Sequence, residues 1–342
     1  MGLKVAMVTT WKTRCGIASY SEKLARALAE QDVEVFIVRL PRFGRKSAEI
    51  VRDVAEKVPY DRVDLVHVQH EYGLYQGFES VFYETLRLFK KPIVTTMHAV
   101  GNWEFDGLIA GISNKVIVHN EFCLKRFGFP KTVVIPHGAQ PVETVDAKEA
   151  KKALDINVDM PVVGYLGFIS SYKGLEDLIE AVMKVPNARL LIGGGYHVET
   201  ETPYMDKLKR GADKLLGKRV RWLGFVPDEK MGVTYAAMDV FVYPSRWATE
   251  SGALITALSH GRAVIARNLS AFKEKEKKGA LMTFKNIPDL SKKIKQLLKD
   301  DTLRLQLEKG AREYAEKTSW AVVAKQHIDL YESLIPSKGQ EA

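Results

Sequence analysis

The chain has 342 residues, 46% of them apolar and 27% charged, a composition that excludes a disordered segment and a length that excludes one small module. Its two cysteines, Cys15 and Cys123, are far apart and in neither a Cys-x-x-Cys nor a finger spacing, which excludes a disulfide framework or a zinc finger. The net charge of +9 suits phosphorylated ligands, anionic membranes and nucleic acid equally and so selects none of them.

Met1 to Val8 run directly into a strand pattern rather than a signal peptide, and no apolar run approaches the ~18 residues needed to span a bilayer, so a cytoplasmic protein is expected. A strand over Leu3 to Thr9, a helix over Ile17 to Glu30 and a strand over Val33 to Val38 begin a βαβ alternation. It continues through Leu65 to Gln69, Ile93 to Met97, Val116 to His119 and Val133 to Pro136. Apolar strands joined by helices predict a parallel sheet covered on both faces. Ligands of such sheets bind beyond the carboxyl ends of the strands, so the residues after each strand are the candidates.

After the first strand, Gly16 stands between a polar loop and a helix start, where backbone can approach a phosphate or a sugar hydroxyl closely. A plain turn explains one glycine equally well. The fingerprint G-x-G-x-x-G and the Walker sequence are absent. In His67-Val68-Gln69-His70-Glu71, strand alternation turns the two histidines to opposite faces, which argues against a shared metal ion. His70 and Glu71 are expected at the strand-end edge, within reach of a polar acceptor. His98 follows the strand Ile93 to Met97, where an imidazole can both donate and accept; a satisfied structural histidine is the alternative.

From Val142 to Asp159 the texture becomes polar and reads as a linker with one short helix, so a domain boundary is expected there. The boundaries read as residues 1–150 for a first Rossmann-like domain and 151–319 for a second, with 320–336 as a last helix that must pack on something. Strands restart with Val162 to Phe168, Arg189 to Ile192, Val220 to Phe225, Val240 to Tyr243 and Ala263 to Ala266. Lys173 and Gly174 fall at the start of the helix after the first of these, a mobile cation beside a positive helix end, suited to a diphosphate. An exposed surface lysine is the alternative. Gly193-Gly194-Gly195 follows the next strand. In "YPSRWATESGALITALSHGRAVIA", Tyr243 to Ala266, Ser251 and Gly252 open a helix, Glu250 is placed to accept from sugar hydroxyls, and Arg246 is a second phosphate candidate. Simple capping by Ser251 would need no ligand. The tail, Leu290 to Leu334, reads as helical, with Trp320, Val323, His327 and Tyr331 at helical spacing.

In order along the chain, Gly16-Ile17-Ala18, His98, "VIPHG" at Val134 to Gly138, "YKG" at Tyr172 to Gly174, "LGFVP" at Leu223 to Pro227, "DVFVYPS" at Asp239 to Ser245 and "GRAVIA" at Gly261 to Ala266 resemble glycosyltransferase family 4, a retaining group, over essentially the whole length. The resemblance implies the α/β GT-B fold: two Rossmann-like doubly wound domains facing across a cleft, 1–150 on the acceptor side and 151–319 on the donor side, with the C-terminal helix 320–336 crossing back to the first. It implies a UDP- or GDP-hexose donor, with the base near Gly224, Phe225 and Val226, the diphosphate near Lys173 and Gly16, and the hexose near His98 and Glu250 to Gly252. No metal and no cofactor are implied. The family's two glutamates, separated by seven intervening residues, fall on Ala248 and Thr256 by counting back from Gly261, or the first on Glu250 if the loop is two residues shorter. The arginine after the family's glycine is Phe168 here.

The function expected is transfer of a hexose with retention to a hydroxyl acceptor, a glycan or a lipid-linked one, with no nucleic-acid partner. A nucleotide-sugar epimerase and a non-catalytic sugar-nucleotide-binding subunit are the competing readings. Arg42, Arg45 and Lys46 around Phe43 suit an anionic lipid surface, giving an expectation of peripheral contact with the inner membrane face.

Overall fold

The computed structural model describes residues 2–195 and 202–335; Pro336, the last residue of the expected returning helix, lies outside them. The chain divides into two compact units, Met1–Gly138 with Thr318–Ala342, and Ala139–Lys317.

The first unit holds β1 (Lys4–Thr9), β2 (Glu34–Arg39), β3 (Leu65–His70), β4 (Ile93–Met97), β5 (Lys115–Val118) and β6 (Thr132–Val134). They pair in the order β2-β1-β3-β4-β5-β6, every pairing parallel. All six residues of β3 are buried although three are His or Gln, because both faces of the strand are covered. Val66 and Val68 enter the core that contains Phe82 and Tyr83; Leu65 enters the other, with Tyr20, Trp320 and Tyr331. The helix Trp320–Glu332 supplies much of that second cover, burying Trp320, Val323, Ala324, His327, Ile328 and Tyr331 at helical spacing. Ser319 caps it by accepting from Val322 N–H.

The second unit holds β7 (Val162–Leu166), β8 (Arg189–Gly193), β9 (Val220–Gly224), β10 (Val240–Tyr243), β11 (Ala263–Arg267) and β12 (Met282–Phe284). The order is β12-β11-β10-β7-β8-β9, again parallel. In both sheets the winding reverses once, between β1 and β3 and between β7 and β10, and such points open a crevice beyond the strand ends. Among the described residues no helix is long and apolar enough to cross a membrane.

Two details differ from the sequence reading. The first unit ends at Gly138, ahead of the expected residue 150, because the helix Ala147–Ala153 packs into the second unit. Ala150 meets Ala236 and Ala237, and Lys151 Nζ lies 2.9 Å from Asp239 Oδ2. The edge strand β12 escapes the sequence reading, since three residues are too few to display a period of two.

Candidate functional site

At the reversal of the second sheet, the loops after β7 and β10 are bound to each other. Arg246 N–H donates to Tyr172 O at 2.8 Å. Gly174, at φ +67°, lies so close that a Cβ there would stand 2.6 Å from Pro244 O, which explains the glycine. Lys173 Nζ donates to Tyr243 OH at 3.2 Å and lies 4.6 Å from the Tyr172 ring centre. Burial works against its charge, but the Tyr243 and Tyr172 phenols outweigh that and hold the ammonium above the usual lysine value. The carboxylates nearest in sequence, Glu176 and Asp177, are paired with Arg246, and Asp177 also with Arg267.

This corrects the expectation for Arg246. Its guanidinium is 2.9 Å from Asp177 and 3.4 Å from Glu176 and donates to Ser171 O at 3.1 Å, so it braces the two loops rather than presenting an uncompensated positive charge. Glu250 is corrected too. Its side chain is 4% exposed, with Oε2 2.7 Å from Lys275 Nζ and Oε1 accepting from Ser251 N–H at 2.9 Å. A carboxylate committed in this way is not presented to a sugar hydroxyl.

Ser251 Oγ caps the helix Gly252–Ser259 by accepting from Leu254 N–H, leaving exposed Gly252 as its first residue. Thr256 Oγ1 donates to Gly252 O at 2.8 Å, so its hydroxyl serves its own helix. Beyond β8, Gly194 N–H donates to Gly224 O at 2.6 Å, and a Cβ on Gly194 would overlap Gly167 O at 1.8 Å. Three strand tips converge there only because side chains are missing. Gly224 and Phe225 are exposed and Val226 half-buried at the end of β9.

In the first unit, Gly16 opens the helix Gly16–Ala29 and is exposed, with open space where a Cβ would stand. His67 and His70 do face opposite ways: His67 meets Tyr331 and His327, and His70 stacks on Tyr75. His70 does not lie at an open edge, however. It is fully buried between Tyr72, Tyr75 and Tyr83, and burial pushes its imidazole down to about 3. Glu71 is half-buried; burial raises its carboxyl, opposed by the Gly73 N–H.

His98 is half-buried after β4, with N–H donating to His70 O at 3.0 Å and Nε2 2.9 Å from Gln69 Oε1. The Tyr20 ring meets it edge-on at 4.8 Å. Burial, reinforced by His119, His137, His67 and His70, holds its imidazole well below the usual value, so it is neutral at pH 7. Sequence reasoning misses Gln69, Asp177 and Lys275. Gln69 has a signal, since it shares a face of β3 with His67; Lys275 has none, because "KEKEK" reads as a solvated charge run. In the loop Pro41 to Lys46, Phe43 is 67% exposed, but Lys46 is turned in, 7% exposed, contrary to a fully basic surface.

Residues 146–314 match the family model "Glycosyl transferases group 1". D-inositol 3-phosphate glycosyltransferase of Corynebacterium urealyticum is 31% identical over 207 residues, 56% of this chain and 48% of that protein. O-antigen chain mannosyltransferase B of Escherichia coli is 29% identical, covering 50% of this chain and 45% of that one. The chain thus spans about half the length of the curated relatives it matches. Among solved structures, sucrose-phosphate synthase of Thermosynechococcus elongatus superposes with TM-score 0.79 at 21% identity, over 97% of this chain and 99% of that one. Anabaena Alr3699/HepE in complex with UDP gives 0.79 at 18%, over 97% and 100%. The chain has the two-domain α/β GT-B fold, and the stretch 146–314 of it is similar to the glycosyl transferases group 1 family.

Proposed function

We propose that the protein is a retaining glycosyltransferase that moves a hexose from a UDP- or GDP-sugar to a hydroxyl of a glycan or lipid-linked acceptor. The observation that carries this reading is Lys173: a protonated amine at the sheet reversal of the second unit, held by two tyrosines while the neighbouring carboxylates pair with arginines. In transfer, the bond between the anomeric carbon and the diphosphate breaks with its electron pair leaving on phosphate, and the acceptor hydroxyl oxygen takes its place on the same face while its proton passes to the departing diphosphate. The charge that develops is met by Lys173 and by the open amides at the start of the helix Gly252–Ser259, with no resident metal or cofactor. His98, neutral and able to accept, is assigned to a hydroxyl of the hexose. Structures similar to this one were solved with UDP and with UDP-glucose, which supports the donor class.

A panel of UDP-glucose, GDP-mannose and ADP-glucose tests the reading by thermal shift. The cognate donor at ~100 times its dissociation constant stabilises by about 2.7 kcal/mol. Lys173→Met weakens that shift and lowers transfer roughly 100-fold at unchanged Tm without ligand. No shift with any sugar nucleotide would overturn the proposal. The burial of Glu250 against Lys275 and the internal bond of Thr256 favour one second reading, a subunit that binds a sugar nucleotide without turnover. It predicts donor binding with no hexose released in the presence or absence of acceptor, whereas an epimerase would convert the donor alone.

A further inference from the structure

A row of buried groups runs from the C-terminal helix to His98. Tyr331 OH is 2.6 Å from His67 Nδ1; His67 Nε2 is 2.8 Å from Thr96 Oγ1 and 3.1 Å from Gln69 Nε2; Gln69 Oε1 is 2.9 Å from His98 Nε2. His67, Gln69 and Tyr331 are fully buried, so water cannot replace a lost partner and each polar atom must be matched within the row.

An amide donates at one end and accepts at the other. With its nitrogen toward His67, Gln69 presents only a carbonyl to His98, and His98 must donate from Nε2. The Gln69 nitrogen lies over the His67 ring, 3.1 Å from Nε2 and 3.5 Å from Nδ1, while the two ring nitrogens themselves meet Thr96 Oγ1 and Tyr331 OH. We propose that Gln69 is a positioning residue: its amide, packed by its nitrogen on the His67 ring, holds His98 as the Nε2–H tautomer through Oε1. An imidazole whose Nε2–H is committed interacts through Nδ1 only as an acceptor, so under the proposed function it takes a hydrogen bond from a sugar hydroxyl. The groups facing His98 include Tyr20 from the helix Gly16–Ala29, His67, Gln69 and His70 from β3, His119 beyond β5 and His137 beyond β6. Each of these is neutral or a histidine, and the histidines oppose the imidazolium.

Nitrogen-15 NMR of the imidazoles in the full chain tests this. The wild type shows His98 as the Nε2–H tautomer, neutral from pH 5.5 to 8. Gln69→Leu, with Tm and circular dichroism as controls, gives a mixture of tautomers. Gln69→Glu sets a carboxylate against Nε2 and raises the His98 pKa by at least about one unit, adding an acid limb to the pH profile of transfer. A wild-type Nδ1–H tautomer, or a tautomer unchanged in Gln69→Leu, overturns the proposal. Only the sugar contact rests on the proposed function: an Nε2–H tautomer in a protein that binds no sugar nucleotide would leave the positioning intact and remove the enzyme reading.

Discussion

Lys173 and Arg246 follow neighbouring strand ends and carry the same charge, yet they are set for different work. Arg246 makes a planar, multidentate brace with Asp177 and Glu176, the use for which guanidinium is suited; Lys173 meets phenols instead. Glu250 shows how a candidate ligand becomes a structural residue. Its partner Lys275 is 2% exposed, with Tyr314 also beside the ammonium. Removing the carboxylate alone leaves a buried cation, and Glu250→Gln is expected to cost about 3–5 kcal/mol. Glu250→Gln/Lys275→Met recovers much of that stability, because the unpaired charge goes too. Chemical denaturation of the two variants checks this; an undiminished midpoint for Glu250→Gln with lost activity would return Glu250 to the substrate.

At the scale of elements, Gly138 decides how the C-terminal helix docks on the first unit. A Cβ at Gly138 would stand 2.4 Å from the Trp320 indole, and that ring also packs edge-on against Tyr20 at 5.1 Å. The indole is buried and cannot swing away without moving the helix. Gly138→Ala is therefore expected to destabilise by about 1–3 kcal/mol, the usual range for overpacking, and to lower Tm. A Tm equal to wild type would show that the helix shifts without loss. The glycine of "VIPHG" thus has a packing reason that requires no ligand.

For the molecule as a whole, neutral histidines make acid a selective denaturant of the first unit. Burial holds His70 at about 3 and His327 at about 4, and His67 and His98 well below their usual value. An unfolded histidine titrates near 6.5, so below that pH the unfolded chain binds protons that the folded one refuses. Stability is full above pH 6.5 and falls as pH drops toward the folded values, by about 2 kcal/mol per histidine at pH 5. Glu71 and Glu79, whose carboxyls burial raises, act in the opposite sense, favouring the fold at low pH, but they are two against four. Calorimetry at pH 7.5, 6 and 5 should show Tm falling steeply below 6.5; a flat profile would contradict neutral burial.

The order of strands and helices was legible because fully covered parallel strands are continuous apolar runs, and the place of Lys173 in the loop after one of them was legible with it. The loop glycines were legible for the same reason. What residues near each other in sequence cannot reveal is which charge meets which. Lys275 lies 25 residues from Glu250 and Tyr331 lies 264 from His67, so the burial of Glu250, the neutralisation of Arg246, the enclosure of His70 and the row behind His98 arose only when distant elements packed. Local pattern determines secondary structure through periodicity and backbone freedom; the ionisation and partners of a side chain depend on desolvation and long-range contact, and those the tertiary structure alone decided.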